Sequence, residues 1–207
     1  MAVLSQCNSQ GLTIIAWAYA VANVNDPLLF NTDFVDVCQA NVDRFVPEAL
    51  YQLHQWQLWQ DELKSGINLP PALRDKCRQA FVSQSYQTST LQDDVVSVLS
   101  SIGMPLEEEF LTPSGYRLDM KVGIEVDGPS HFIIGEPTGS TILKRRQVNE
   151  MDDMCILSVP YWDWDKLGTD RTKKQMYLRC KLGWIAEQKK RFPLSDSTTS
   201  LHFFRQF

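Results

Sequence analysis

Long apolar runs are missing from this chain. No stretch reaches the ~20 residues a membrane-spanning helix needs, and the longest candidate, residues 14–24, is too short and carries Asn23. Paired cysteines are missing as well. The five cysteines are scattered, odd in number and never spaced CxxC, which argues against a disulfide framework and a structural zinc site and fits a reducing compartment. Neither a secretory apolar region nor an Arg-rich transit peptide opens the sequence. Its first residues read as the inside of a helical unit, so we expect it to be the C-terminal part of a longer protein. Overall positive charge is also lacking. The net charge of −5 argues against binding nucleic acid over the whole surface. The charge is unevenly spread, however: residues 1–100 hold 10 acids and 5 bases, whereas residues 101–207 hold 15 of each. Residues 171–191 carry eight Lys or Arg and a single acid, Glu187, so a local basic face is expected.

What is present begins with helices. Residues 10–24 place Leu12, Ile15, Ala16, Tyr19 and Ala20 at helical spacing, with Asn8 or Ser9 available as cap. After the Asn25-Asp26-Pro27 break, a second helix is expected over 27–45, with Leu28, Phe34, Val35 and Cys38 toward a core. Pro47 sits in the first turn of a third helix, which ends before Ser65-Gly66. The starts at 10 and 47 lie about 37 residues apart, within the period range of helix-turn-helix repeats. Residues 70–83 and 90–101 are further amphipathic helices, and Gly103 closes the region. Trp17, Trp56 and Trp59 read as core packing, with a base-reading helical solenoid as the alternative use.

The second half changes period. Residues 107–112 and 115–120 read as strands around a Thr-Pro-Ser-Gly turn, and 121–126 as a buried β-branched strand broken by Asp127-Gly128-Pro129. A helix over 141–152, a strand over 155–159, a loop or helix start at Tyr161-Trp162-Asp163-Trp164 and a basic helix over 170–184 follow. We therefore expect an α+β chain. An all-α helical-repeat segment (1–103) precedes a small mixed α/β domain (104–192), and a tail (193–207) contains Phe203, Phe204 and Phe207, which dock on the domain or hang loose.

Chemistry concentrates between residues 116 and 164. Glu125 and Asp127 stand two apart on one strand, so they share a face. With Asp119 on the neighbouring strand, three carboxylates can converge, an oxygen-rich set suited to Mg²⁺ and phosphodiester hydrolysis. His131 is a candidate proton carrier. Lys144, Arg145 and Arg146 are candidate phosphate ligands, as are Arg171, Lys173 and Lys174 on the basic helix. Trp162 and Trp164 are candidate stacking surfaces for unpaired bases. Each also has a purely structural reading: a capped turn at Asp127, a hydrogen-bonded His131, a solvated cationic helix face and a packed tryptophan pair.

IEVDGPSHF, LKRR and VPYWDW, in this order and spacing over roughly residues 105–185, resemble the RAP domain. This module is found in apicomplexan, algal and plant organellar proteins and in the FAST-kinase-like mitochondrial family. The upstream LYQLHQWQLW and IIAWAYA are similar to the helical repeats that precede it. The resemblance implies RNA binding in a mitochondrial or plastid matrix, in transcript stabilisation, processing or ribosome assembly. It also implies a fold similar to restriction endonucleases. That fold's nuclease pattern is an Asp followed by Asp/Glu-x-Lys. Asp119 and Glu125 match it as metal ligands, but Asp127 stands where the Lys belongs, and a carboxylate cannot supply an ammonium's charge. The module also has a Gly near Asp152-Asp153 that this chain lacks, which predicts a local loop difference.

Three functions are therefore expected in order. The first is non-catalytic binding of single-stranded or ribosomal RNA, with protein partners on the acidic helical half and no cofactor. The second is a Mg²⁺-dependent ribonuclease using Asp119, Glu125, Asp127 and His131. The third is a structural role in an organellar ribosome.

Overall fold

The fold is seen in a computed structural model, which describes residues 7–191 except 87 and 105, with side chains as far as residue 183. The expected docking of Phe203, Phe204 and Phe207 lies outside the described residues. Five helices come first: α1 (Ser9–Ala22), α2 (Thr32–Ala40), α3 (Pro47–Glu62), α4 (Pro71–Val82) and α5 (Thr90–Ser101). A small α/β layer follows, built from β1 (Glu108–Leu111), β2 (Arg117–Met120), β3 (Ile124–Asp127), the hairpin β4 (Phe132–Ile133) and β5 (Glu136–Pro137), α6 (Gly139–Asp152), β6 (Leu157–Pro160), α7 (Tyr161–Asp165) and α8 (Arg171–Arg191). Among the described residues, no helix is long and apolar enough to cross a membrane.

The helices start where side chains can satisfy free backbone N–H groups. Asn8 accepts from Gly11, and Ser89 accepts from Gln92. The second helix corrects the sequence expectation. It begins at Thr32, because Asp26 accepts the N–H groups of Leu28 and Leu29 in a turn and Asn31 caps the helix at Asp33 and Phe34. Leu28, expected in the core, is left 89% exposed on that turn. Phe34 and Cys38 are buried as expected, and Phe34 packs with Phe30 and Trp56 in the apolar centre of α1–α4.

The main sheet runs β1-β2-β3-β6. Its first three strands are antiparallel, and β6 lies parallel to β3 with α6 as the crossover. The turn between β2 and β3 depends on Gly123, at φ +83°, where a Cβ would stand 2.4 Å from the Cys155 carbonyl oxygen. One face of the sheet offers Ile124, Val126, Leu157 and Val159 to α5, Trp164 and Leu178. Thus α5, which precedes the expected boundary at 103, packs on the sheet. A separate apolar cluster brings Leu58, Phe81 and Val148 to Tyr116 and Leu118. The two halves are also joined through α6, whose Leu143 sits in the helical core.

The glycine expected between α6 and β6 is replaced in conformation as well as in position. Asp153 takes the left-handed C-cap at φ +55°, and its N–H donates to the Val148 carbonyl. The hairpin β4–β5 has no counterpart in the sequence expectation. Its turn puts Ile134 at φ +51° and Gly135 at φ +82°, and a β-branched residue there gives no turn signal.

Candidate functional site

β3 is buried at every position, yet alternate residues are acidic. Glu125 and Asp127 point away from the apolar face, toward α6, and α6 answers with cations. Lys144 Nζ donates to Glu125 Oε2 at 2.6 Å, and Arg145 donates to Asp127 Oδ2 at 2.6 Å. His131 Nδ1 lies 3.1 Å from Asp127 Oδ1, and the Ser158 hydroxyl of the paired strand donates to Asp127 Oδ2. Asp119 does join this group from β2. Its Oδ2 accepts the Val126 N–H at 2.7 Å, while its own N–H donates to Glu125 Oε1 at 3.3 Å. The three carboxylates are therefore brought together, but each is engaged by protein donors.

These partners set the protonation behaviour. Burial pushes the Glu125 carboxyl up to about 7, against the pull of Lys144 and with a further push from Asp119. Burial likewise raises Asp119, partly offset by the Val126 N–H. Burial would also raise Asp127, but the bonds from His131 and Ser158 and the Arg145 charge overrule it and hold it below the usual carboxylate range. The same Asp127 bond raises His131 against its own burial. Among the described residues, no group of three or more His, Cys, Asp or Glu is placed to hold a metal ion. In this arrangement Asp119 Oδ2 and both Glu125 carboxylate oxygens are engaged by N–H and ammonium donors.

The LKRR cations are fastened rather than free. Lys144 and Arg145 retain 23% and 25% of their side-chain exposure. Arg146 ties the two halves together: its Nε lies 2.9 Å from Glu62 of α3, and its guanidinium donates to the Ala20 carbonyl at 2.6 Å. Two further expectations are corrected. Trp164, taken as a stacking surface, is a core residue at 2% exposure, and its indole N–H donates to Asp94 on α5 at 2.8 Å. Lys174, taken as a phosphate ligand, is buried over the Trp164 ring and donates to the same Asp94 oxygen at 2.6 Å. Trp162 is half-buried against Phe132 and Tyr161. Arg171 and Lys173 remain exposed, Lys173 at 69% of its side chain.

Lys144, Arg145, His131 and the two deep carboxylates line one cleft of about 410 Å³. Its opposite wall comes from the helical half: Gln55, Phe81 and the loop residues Gln84, Ser85 and Tyr86. Ser130, Thr138 and Ser140 add hydroxyls where α6 begins. Two members escaped the sequence reading. Arg117 on β2 lies with its guanidinium 4.5 Å over the Tyr86 ring. The available signals were an arginine two residues from Asp119 and a lone aromatic in the polar loop SQSYQTST.

Residues 124–181, which supply most of the cleft's cations and both deep carboxylates, match the RAP domain family, so the chain carries a RAP domain there. Over 192 residues the chain is 35% identical to a "RAP domain-containing protein, chloroplastic" of Oryza sativa subsp. japonica. The alignment takes in 84% of this chain and 29% of that protein, so the chain spans less than a third of its relative's length.

Proposed function

We propose that this chain is the RNA-holding, non-catalytic part of an organellar protein acting in transcript stability, processing or ribosome assembly. One observation carries this reading. The carboxylates that a nuclease would present to a metal are each bonded to a cation or backbone N–H of the same chain, while Arg171 and Lys173 stand exposed on α8. Phosphate contacts from such cations supply affinity without chemistry. The RAP domain supports RNA as the ligand, and the chloroplastic rice relative supports a plastid location. The acidic helical half is suited to protein neighbours, including those of an organellar ribosome.

A nuclease remains the second reading because of Lys144. It brings an ammonium from α6 to Glu125, where the strand itself offers Asp127 in place of lysine. The strand-helix order around Glu125 supports a restriction-endonuclease-like frame for either reading. The deciding experiment incubates the protein with end-labelled single-stranded RNA in EDTA, Mg²⁺ or Mn²⁺ and follows both retention and length. The binding reading expects a retained, full-length RNA in every buffer. Metal-dependent cleavage abolished by Glu125→Ala would replace it with the nuclease, and no retention under any condition would remove RNA as the ligand.

A further inference from the structure

We propose that the cleft between the helical half and the RAP domain seats the 5′-terminal nucleotide of an RNA strand, with the terminal monophosphate at the start of α6. This rests on the RNA-binding reading above and names the part of the RNA that the cleft takes.

The first argument is size. About 410 Å³ suits one small ligand, here a single nucleotide. The second is the arrangement of donors. Lys144, Arg145 and His131 line the cleft, as do Ser130 and Ser140, the latter in the first turn of a 14-residue helix. Lys144 uses one of its three ammonium hydrogens on Glu125, and Arg145 one of its five guanidinium hydrogens on Asp127. The carboxylates thus pin both heads and leave donors over. The start of α6, where Thr138 already caps the Thr141 N–H, adds a favourable field for an anion.

The deep carboxylates do not forbid an anion. Asp127 is matched by Arg145 and His131, and Glu125, pushed up to about 7, is readily neutralised. Lys144 and Arg145, each with donors left after meeting its carboxylate, suit a monoester, which offers more charge and more acceptor oxygens than an internal diester. The third argument is the far wall. Tyr86, braced by Arg117, offers an aromatic face from a polar loop, and the Gln55 and Gln84 amides border the same space. A base stacked on Tyr86 with its phosphate toward Ser140 uses both the helical-half wall and the RAP-domain wall of the cleft.

The test compares one RNA sequence bearing a 5′-monophosphate or a 5′-hydroxyl, by fluorescence anisotropy with a 3′ label. The proposal expects the monophosphate to bind about tenfold tighter. Ser140→Asp supplies a variant that folds, because a carboxylate in the first turn of a helix stabilises it while filling the phosphate position. It should remove the preference for the monophosphate. Tyr86→Ala, in an exposed loop, should weaken both RNAs, and the monophosphate form more. Equal affinity for the two RNAs overturns the proposal while leaving RNA binding in place. So does a preference untouched by Ser140→Asp. Displacement of the RNA by uridine 5′-monophosphate at concentrations no higher than the RNA's own would make this a free-nucleotide site, and would overturn the assignment to an RNA end.

Discussion

Replacing Lys144 with methionine removes the ammonium 2.6 Å from Glu125 Oε2 while keeping most of the stem. The consequence depends on pH, and its sign follows from proton linkage. A carboxyl with a raised folded pKa keeps a proton that the unfolded chain has already released, so stability falls as pH rises between the two values. For the parent protein that window runs from 4.5 to about 7 and covers on the order of 3 kcal/mol. Above it the curve levels, because Lys144 lets Glu125 ionise in place. Without Lys144 the carboxyl moves higher still, and the fall continues past pH 7 at about 1.4 kcal/mol per pH unit. Protonation caps the loss, so the ~3–5 kcal/mol of a stranded buried charge is not reached near neutrality. Urea unfolding followed by tryptophan fluorescence, from pH 5.5 to 8.5, measures this. Variant and parent should nearly coincide at pH 5.5 and differ by roughly 1–2 kcal/mol near pH 8. Adding Glu125→Gln should abolish the extra slope. A deficit of equal size at pH 5.5 and 8.5 would refute the argument and leave Lys144 acting through its stem alone.

Three further outcomes are expected. Asp153→Gly should stabilise the protein by about 0.5–1 kcal/mol in thermal unfolding, because Asp153 holds φ +55° at the C-cap of α6, where glycine bears no steric penalty. Gly123→Ala should destabilise by roughly 2–4 kcal/mol in the same assay, since its Cβ meets the Cys155 carbonyl oxygen at 2.4 Å and φ is +83°. Asp127→Asn should lower the His131 midpoint in an NMR titration, because its bond to Asp127 is the largest influence raising that midpoint; an unchanged midpoint would contradict the pairing.

Much of the architecture was legible because it depends on local pattern. Helical spacing located α1, α3, α4 and α5 to within a residue or two, and the β-branched run over 121–126 overlaps β3, which starts three residues later and includes Asp127. The start of α2 was misjudged although Asn31 was in view, since a short capped helix and a longer one share the same apolar positions. The hairpin β4–β5 was hidden by Ile134, which is no ordinary turn former. The site was legible in its membership and illegible in its pairing. Lys144, Arg145 and Arg146 stand out as charges, but their partners lie 19, 18 and 84 residues away. Only the packing of α6 over β3 and against α3 shows that these cations neutralise carboxylates of the fold. Trp164 and Lys174 mislead for the same reason: Asp94, which holds both, belongs to a helix that reads as part of the other half.

The central claim is that exposed cations of the RAP domain hold RNA by its phosphates. Its most direct measurement is the salt dependence of affinity for a single-stranded RNA, compared between the parent chain and a double variant, Arg171→Glu with Lys173→Glu. Both residues are exposed, and their bonds to the Ser97 carbonyl and to Asp170 are peripheral, so the fold should persist by circular dichroism. The account predicts weaker binding and a log–log salt slope shallower by about 1.4, roughly 0.7 for each lost phosphate contact on a single strand. An affinity and slope equal to those of the parent chain would contradict it.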